Sequence, residues 1–191
     1  NATLSRSPRP IENIDITDND LVYSITQGDI RSIWSGNLGS NSGNMLKLHN
    51  YGGIDILSPN RGMVDEWNFV DVAAASNGRS YALTYTGLIY EYDSEGNLIF
   101  SFGGRSIEND RIGQFAMAAA IDTDNNGFIY VLDSERALIQ VFVPTEFADL
   151  THKAVLALQS GDYAESGEIW QSLLRANAQS KIAHIGYAKT L

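Results

Sequence analysis

The sequence predicts a mainly β fold followed by a short α-helical segment. Up to Pro144, apolar and polar residues alternate in short runs that Gly, Asn and Asp interrupt, which is typical of β-strands joined by tight turns. After Pro144 the apolar residues follow a helical spacing. Similar stretches also recur along the β part at intervals of about 50 residues, which indicates a repeat architecture.

Three repeat copies align without gaps around a tyrosine: Ile14–Thr26, Val72–Thr84 and Ile121–Asp133. A second apolar element follows each copy: Asn44–Leu57, Gly87–Gly103 and Ala137–Glu146. Repeats of about 40–50 residues that each contain four short strands are typical of β-propeller blades. We therefore predict a partial β-propeller of about three four-stranded antiparallel blades over residues 11–145.

The middle copy shows the elements of one blade most clearly. Its strands are predicted at Val70–Ala74, Ser80–Tyr85, Leu88–Asp93 and Leu98–Phe102. The small apolar first strand suits the crowded centre of a propeller, and Gly96 and Asn97 are expected to supply the positive φ angles of the last hairpin.

The third copy, "IDTDNNGFIYVLD", permits two interpretations. Asp122, Asp124 and Asn126 alternate as calcium ligands do in a helix–loop–helix site. The residues from Phe128 onward instead alternate as a strand does, and Asp and Asn readily form turns. The other two copies lack the full ligand set, so the pattern favours a turn, and calcium bound through these three residues stays open.

The residues after 145 predict three helices. Asp149 or Thr151 is expected to cap the first helix, which runs to about Gln159. The second spans about Tyr163–Arg175 and the third roughly Lys181–Lys189. We treat residues 146–191 as a separate helical segment.

Composition excludes several classes of function. Acidic residues outnumber basic ones 23 to 13, for a formal net charge of −10, which argues against binding to nucleic acid or to anionic membranes. The absence of cysteine excludes thiol chemistry and disulfides. His49, His152 and His184 do not form a metal-binding motif, and we expect structural or surface roles for them.

Loop residues of the β part are the better candidates for binding. The aromatic residues predicted in or near loops are Trp34, Tyr51, Trp67, Phe69 and Tyr85. Aromatic rings of this kind stack on sugars or peptides, although they also hold blades together. Trp67 and Tyr85, with Arg61 and Arg105 in neighbouring connections, are the predicted binding residues for an acidic partner.

The helical segment resembles a tetratricopeptide repeat in the stretch "GDYAESGEIWQSLLRANAQS", with Gly161, Asp162 and Tyr163 at the turn and Trp170 as the bulky aromatic. The β part resembles NHL-type propeller repeats, chiefly in "GLIYEYDSEGNLIFSFGG" and "IDTDNNGFIYVLD". Together they resemble a group of Gram-positive bacterial envelope proteins, some labelled gluconolactonase-like, in which the propeller is longer. The resemblance implies that this chain is a C-terminal piece.

The resemblance also implies an extracytoplasmic location, a membrane anchor in the full-length protein and association with a membrane transporter. We expect a non-catalytic binding or scaffolding module that contacts protein or glycan and needs no cofactor. The alternative is a metal-dependent lactonase, whose central metal site would draw on Asp15, Asp71 and Asp122. A third option places the function in the helical segment alone. We also expect a homodimer that completes the propeller.

Overall fold

The computed structural model describes residues 11–17, 21–26, 33–37, 43–45, 49–50, 69–108 and 111–191. Antiparallel sheets form the first part of the chain, and three short helices follow. The prediction of a partial β-propeller followed by a short helical segment is confirmed.

The sheets are successive blades. Blade 1 contains β1 (Ile11–Ile16), β2 (Leu21–Thr26), β3 (Ile33–Asn37) and β4 (Gly43–Met45) in sequence order. Blade 2 contains β5 (His49–Asn50), β6 (Phe69–Ala74), β7 (Ser80–Thr84), β8 (Leu88–Tyr92) and β9 (Asn97–Gly103), with β5 parallel to β9 at the outer edge. Blade 3 contains β10 (Ala118–Thr123), β11 (Ile129–Asp133) and β12 (Leu138–Phe142).

The prediction of uniform four-stranded blades is therefore wrong for two of them. In the described part of the chain, blade 2 has five strands because β5 joins its outer edge. Blade 3 has three strands because Thr145 already caps a helix, which leaves no residues after β12 for a fourth strand.

The first strands of the blades lie side by side, β1 against β6 and β6 against β10. Each has a β-bulge at the same place, at Asn13, Val70 and Ala119. Carboxylates join these strands across blades: Asp15 Oδ2 accepts from the Ala74 amide at 2.6 Å, and Asp71 Oδ2 from the Ile121 amide at 2.8 Å. These two bonds join the first strands of neighbouring blades to each other.

Two hydrophobic cores fill the spaces between blades. We call the face of a blade that is turned toward the next blade its leading face, and the opposite one its trailing face. Tyr23, Ile25 and Ile33 on the leading face of blade 1 pack against the trailing face of blade 2. Tyr81, Leu83 and Ile89 repeat this arrangement between blades 2 and 3.

The predicted turns of blade 2 are largely as expected. Asn77 and Gly78 have φ angles of 60° and 71° in the β6–β7 turn, and Gly96 has 84° in the β8–β9 turn. Asn97 does not adopt a positive φ, contrary to the prediction. It begins β9 and donates from its side chain to Asp93 Oδ2 at 2.9 Å.

The helices are α1 (Glu146–Gln159), α2 (Tyr163–Ala176) and α3 (Lys181–Ala188). The predicted caps of α1 are wrong: Thr145 Oγ1 accepts from the Ala148 amide at 3.2 Å, and Thr151 lies inside the helix, where it donates to the Phe147 carbonyl. Trp170 is fully buried at the centre of the three-helix core. In the described part of the chain, the helices are too short and too polar to cross a bilayer.

Candidate functional site

The stretch from Asp122 to Asp133 contains the end of β10, a hairpin turn at residues 124–128 and the whole of β11. Asp124 Oδ1 accepts from the Asn126 and Phe128 amides, both at 2.9 Å, and its Oδ2 contacts the Tyr130 hydroxyl at 3.2 Å. Desolvation raises the pKa of Asp124, but the bonds from Phe128 and Asn126 outweigh it and lower the pKa below its usual value. The Asp124 carboxylate therefore stabilises the β10–β11 turn.

A cavity of about 520 Å³ lies beside this turn, where the first strands of the blades end. Asp15, Asp122 and Asp124 line it. Both oxygens of Asp15 accept from backbone amides, and one oxygen of Asp122 accepts from the Thr123 amide. Asp71 does not line the cavity, because its carboxylate bridges to Ile121. Among the described residues, acidic and histidine side chains do not gather into a cluster that could hold a metal ion.

The opposite end of the blades carries the predicted binding residues Tyr85 and Arg105. Tyr85 lies in the β7–β8 turn and Arg105 in the connection from β9 to β10, and both side chains are exposed. The Gly104 amide donates to the Gly87 carbonyl at 2.9 Å, which holds the two loops together. Trp67 and Arg61 lie outside the described residues. Phe69, predicted near a loop, is fully buried in β6, and Trp34 lies in β3.

The β9–β10 connection also exposes apolar side chains. We call residues 104–108 and 111–117 the apical loop. Ile107, Ile112 and Met117 project from it into solvent, and Ile112 is 98% exposed. Single isoleucines between charged residues have no periodicity, so the sequence carries no signal that marks them as functional. The apical loop thus exposes three large apolar side chains, which makes it the candidate contact surface at this end of the blades.

Buried charges hold the apical loop from beneath. Asp133 Oδ2 accepts from the Ala116 amide at 2.8 Å, and Arg136 donates to the carbonyls of Ser106 at 2.7 Å and Gln114 at 3.0 Å. Desolvation raises the pKa of Asp133, but the amides of Ala116, Arg136 and Met117 and the charge of Arg136 hold it below its usual value. The loop backbone is therefore fixed although its apolar side chains are exposed.

A second buried cluster joins α1 to blade 2. Glu91, in β8, accepts from Arg79, from the Tyr81 hydroxyl at 3.1 Å and from His152 Nε2 at 2.8 Å, all at Oε1. Phe100 packs edge-on against the His152 ring, with centroids 6.1 Å apart. His152 thus has the structural role predicted for it. Helix α1 is held against blade 2 by both charge and packing.

Sequence reasoning did not find this cluster because Glu91 and His152 lie in different elements. One signal was present: Glu91 is the only charged residue in "LIYEY". A glutamate in a strand that is buried on both faces needs charged or polar partners, and the sequence did not indicate which residues they are.

Glu91 is expected to make the stability of the chain depend on pH. Desolvation raises its pKa, but hydrogen bonds and charge from His152 and Arg79 outweigh it, so the pKa lies below its usual 4.5. A depressed pKa in the folded state adds stability above the unfolded-state pKa, and this is lost as pH falls through the folded-state pKa. Between pH 7 and pH 3, urea denaturation should show a larger loss for the wild type than for Glu91→Gln. Equal losses would contradict this prediction.

No family model and no curated protein match the sequence of this chain. Among solved structures, a gluconolactonase from Xanthomonas campestris is 11% identical, with a TM-score of 0.46 over 73% of this chain and 40% of that one. YCF48 bound to a D1 peptide is 16% identical, with a TM-score of 0.43 over 76% and 41%. The designed protein Ika8 is 14% identical, with a TM-score of 0.41 over 70% and 33%. The chain therefore spans less than half of each of these proteins.

Proposed function

We propose that the chain is a non-catalytic binding module that scaffolds a protein partner in the bacterial cell envelope. The observation that carries the proposal is the apical loop. Its isoleucines and methionine are exposed while Asp133 and Arg136 fix its backbone. A surface that is already ordered loses little conformational entropy when it binds.

The side chains exposed at the end of the blades that carries the apical loop favour a protein partner over a glycan partner. Ile107, Ile112 and Met117 are aliphatic, and such side chains pack against apolar side chains of a protein, whereas sugars stack on aromatic rings. Tyr85 supplies one ring, and Arg105 one positive charge for an acidic group at the rim.

The helical segment lies at the other end of the blades. Thr145 follows β12 at the end where the β10–β11 turn lies, and α1 then contacts blade 2 through the Glu91 cluster. Because buried charge pairs fix this contact, the segment is rigidly placed relative to the apical loop. A rigid body with binding surfaces at two ends suits a scaffold, and the helices would hold a second partner.

Site-specific photo-crosslinking in cells tests the proposal. The photoreactive residue p-benzoylphenylalanine replaces Ile112 in one variant and exposed Asn125, at the opposite end of the blades, in the control. We expect one discrete protein adduct from position 112 that is absent from position 125. Arg105→Ala should weaken the adduct, and Asp133→Asn should weaken it further because the loop loses its support.

Two results would overturn the proposal. One is the same protein adduct in equal yield from positions 112 and 125, which would mean that the apical loop has no specific partner. The other is co-sedimentation of the chain with purified cell-wall glycan that Ile112→Ser leaves unchanged, which would place binding on a sugar and outside the apical loop.

The envelope location is supported by the resemblance of the sequence to exported propeller proteins, which also motivates a membrane transporter as the partner. Protease treatment of intact cells should digest the chain if it lies outside the membrane. A chain protected in intact cells and digested only after lysis would contradict this location. Sequencing of the Ile112 adduct would show whether the partner is a transporter subunit.

A metal-dependent lactonase is the second candidate, because Asp15, Asp122 and Asp124 line one cavity. Backbone amides already occupy most of their oxygens, which disfavours metal binding. Calorimetric titration with calcium, followed by a lactone hydrolysis assay, separates the candidates. Tight calcium binding that Asp122→Ala abolishes, together with hydrolysis, would replace the binding module by the enzyme.

A further inference from the structure

A second cavity, of about 230 Å³, lies between blade 2, blade 3 and the first turns of α1. These elements meet because α1 begins shortly after β12 and packs on blade 2, where Phe147 and His152 of the helix contact the ring of Phe100 in β9. Among the described residues, those of the apical loop do not line this cavity. It is therefore separate from the surface that we assign to the protein partner.

Most of the wall of this cavity is apolar. Phe102 of β9 and Phe142 of β12 lie on it with their ring centroids 5.3 Å apart, and Phe100 and Ile129 extend the same wall. The rings of Phe102 and Phe142 are only half-buried. An apolar cavity of about 150 Å³ holds one benzene molecule, so this cavity has room for one aromatic ring with a short side chain.

The Glu91 carboxylate is the charged group in this wall. Glu91 is only 2% exposed, and it lines the cavity together with Tyr81 and His152. In the described part of the chain, its hydrogen bonds and ion pairs with Arg79, Tyr81 and His152 all end on Oε1. Oε2 has no such partner there and is not enclosed by protein atoms. It is therefore left to accept a hydrogen bond from a molecule in the cavity.

The charge of this site favours a cationic ligand. Desolvation raises the pKa of Glu91, but hydrogen bonds and charge from His152 and Arg79 outweigh it and keep the carboxylate ionised at pH 7. An ionised carboxylate only accepts hydrogen bonds, and it accepts the strongest ones from charged N–H groups. The faces of aromatic rings also attract cations, and the net charge of −10 attracts cations to the chain as a whole.

We propose that this cavity binds a small organic cation, namely a primary amine on a short chain that carries an aromatic ring. The ammonium group donates to Glu91 Oε2, and the aromatic ring packs against Phe102 and Phe142. This site goes beyond the protein-binding role of the apical loop and does not depend on it.

An NMR titration of the backbone amides of the whole chain at pH 7 tests the proposal with phenethylamine as the probe. We expect a Kd of about 10 µM–1 mM, as is typical of a ligand of this size, and the largest shift changes at residues 100–102 and 145–148. Phenethyl alcohol has nearly the same shape without the charge and should bind about 10-fold or more weakly. Phenylacetate should not bind, because its carboxylate is repelled by Glu91.

Ala148→Leu tests the location of the site without changing Glu91, whose own replacement is expected to destabilise the chain. Ala148 lines the cavity from the first turn of α1 and is only half-buried, so a larger side chain fills the cavity without disturbing a packed core. Ala164→Leu is the matched control, because Ala164 is exposed in α2, outside the cavity. We expect Ala148→Leu to weaken phenethylamine binding about 10-fold or more and Ala164→Leu to leave it unchanged. Circular dichroism confirms that both variants are folded.

Three results would overturn the proposal. The first is the absence of shift changes with phenethylamine at concentrations up to about 10 mM, which would mean that the cavity holds only water. The second is equal affinity for phenethylamine and phenethyl alcohol, which would mean that Glu91 does not recognise a cation. The third is phenethylamine binding that Ala148→Leu leaves unchanged, which would place the ligand elsewhere on the chain.

Discussion

Glu91→Gln is expected to destabilise the chain by about 3 kcal/mol, because removing one partner of a buried charge pair leaves the other charge uncompensated. The Arg79 side chain is only 12% exposed, and it loses its counter-ion. Glutamine is about as large as glutamate, so the loss of stability comes from the missing negative charge. Urea denaturation followed by circular dichroism measures the effect.

Glu135→Gln is the matched control for this substitution. Glu135 is exposed in the β11–β12 turn, and changes at such positions usually stay within about 0.5 kcal/mol. If Glu91→Gln is as stable as Glu135→Gln, the cluster does not hold α1 against blade 2. A double-mutant cycle with His152→Gln measures how much of the loss of stability comes from the Glu91–His152 contact.

Gly186→Ala is expected to destabilise the helical segment. A Cβ at this position would meet three atoms of the Trp170 ring, the farthest at 2.7 Å. Trp170 is fully buried and cannot move away without displacing the core. Alanine in a helix gains about 1 kcal/mol over glycine, but overpacking costs about 3 kcal/mol, so a net loss of about 2 kcal/mol is expected in urea denaturation.

The compensating change is Trp170→Phe, because the smaller ring does not reach the position of Cζ2, one of the atoms that the new Cβ would meet. Trp170→Phe alone should be destabilising, since it leaves a cavity. In the Gly186→Ala background, Trp170→Phe should cause a clearly smaller loss of stability than it causes in the wild type. Additive effects of the two substitutions would mean that the Cβ and the ring do not collide.

The sequence predicted the strands of blade 2 to within about two residues, because alternation and the turn residues Asn77, Gly78 and Gly96 are local signals. It also predicted the spans of α2 and α3 closely. The predicted caps Asp149 and Thr151 set the start of α1 too late, because several residues near this point of the sequence can cap a helix and Thr145 does so in the structure. The fifth strand of blade 2 could not be predicted, since His49 in β5 pairs with Asn97 in β9, which lies far along the sequence.

The candidate site was predicted less completely than the fold. Tyr85 and Arg105 are exposed at one end of the blades as expected, but the exposed isoleucines of the apical loop were missed. Their importance depends on Asp133 and Arg136, which fix the loop from a different strand and turn. The Glu91–His152 contact likewise depends on how α1 lies against blade 2. Local periodicity gives no information about contacts of this kind.

A scaffold with binding surfaces at both ends requires the blades and the helical segment to form one rigid body through the Glu91 cluster. Residual dipolar couplings of backbone amides, measured by NMR in an aligning medium, test this directly. We predict that a single alignment tensor fits the amides of β6–β12 and of α1–α3 together. Two different tensors, one for the strands and one for the helices, would show that the helical segment moves independently and would contradict the account.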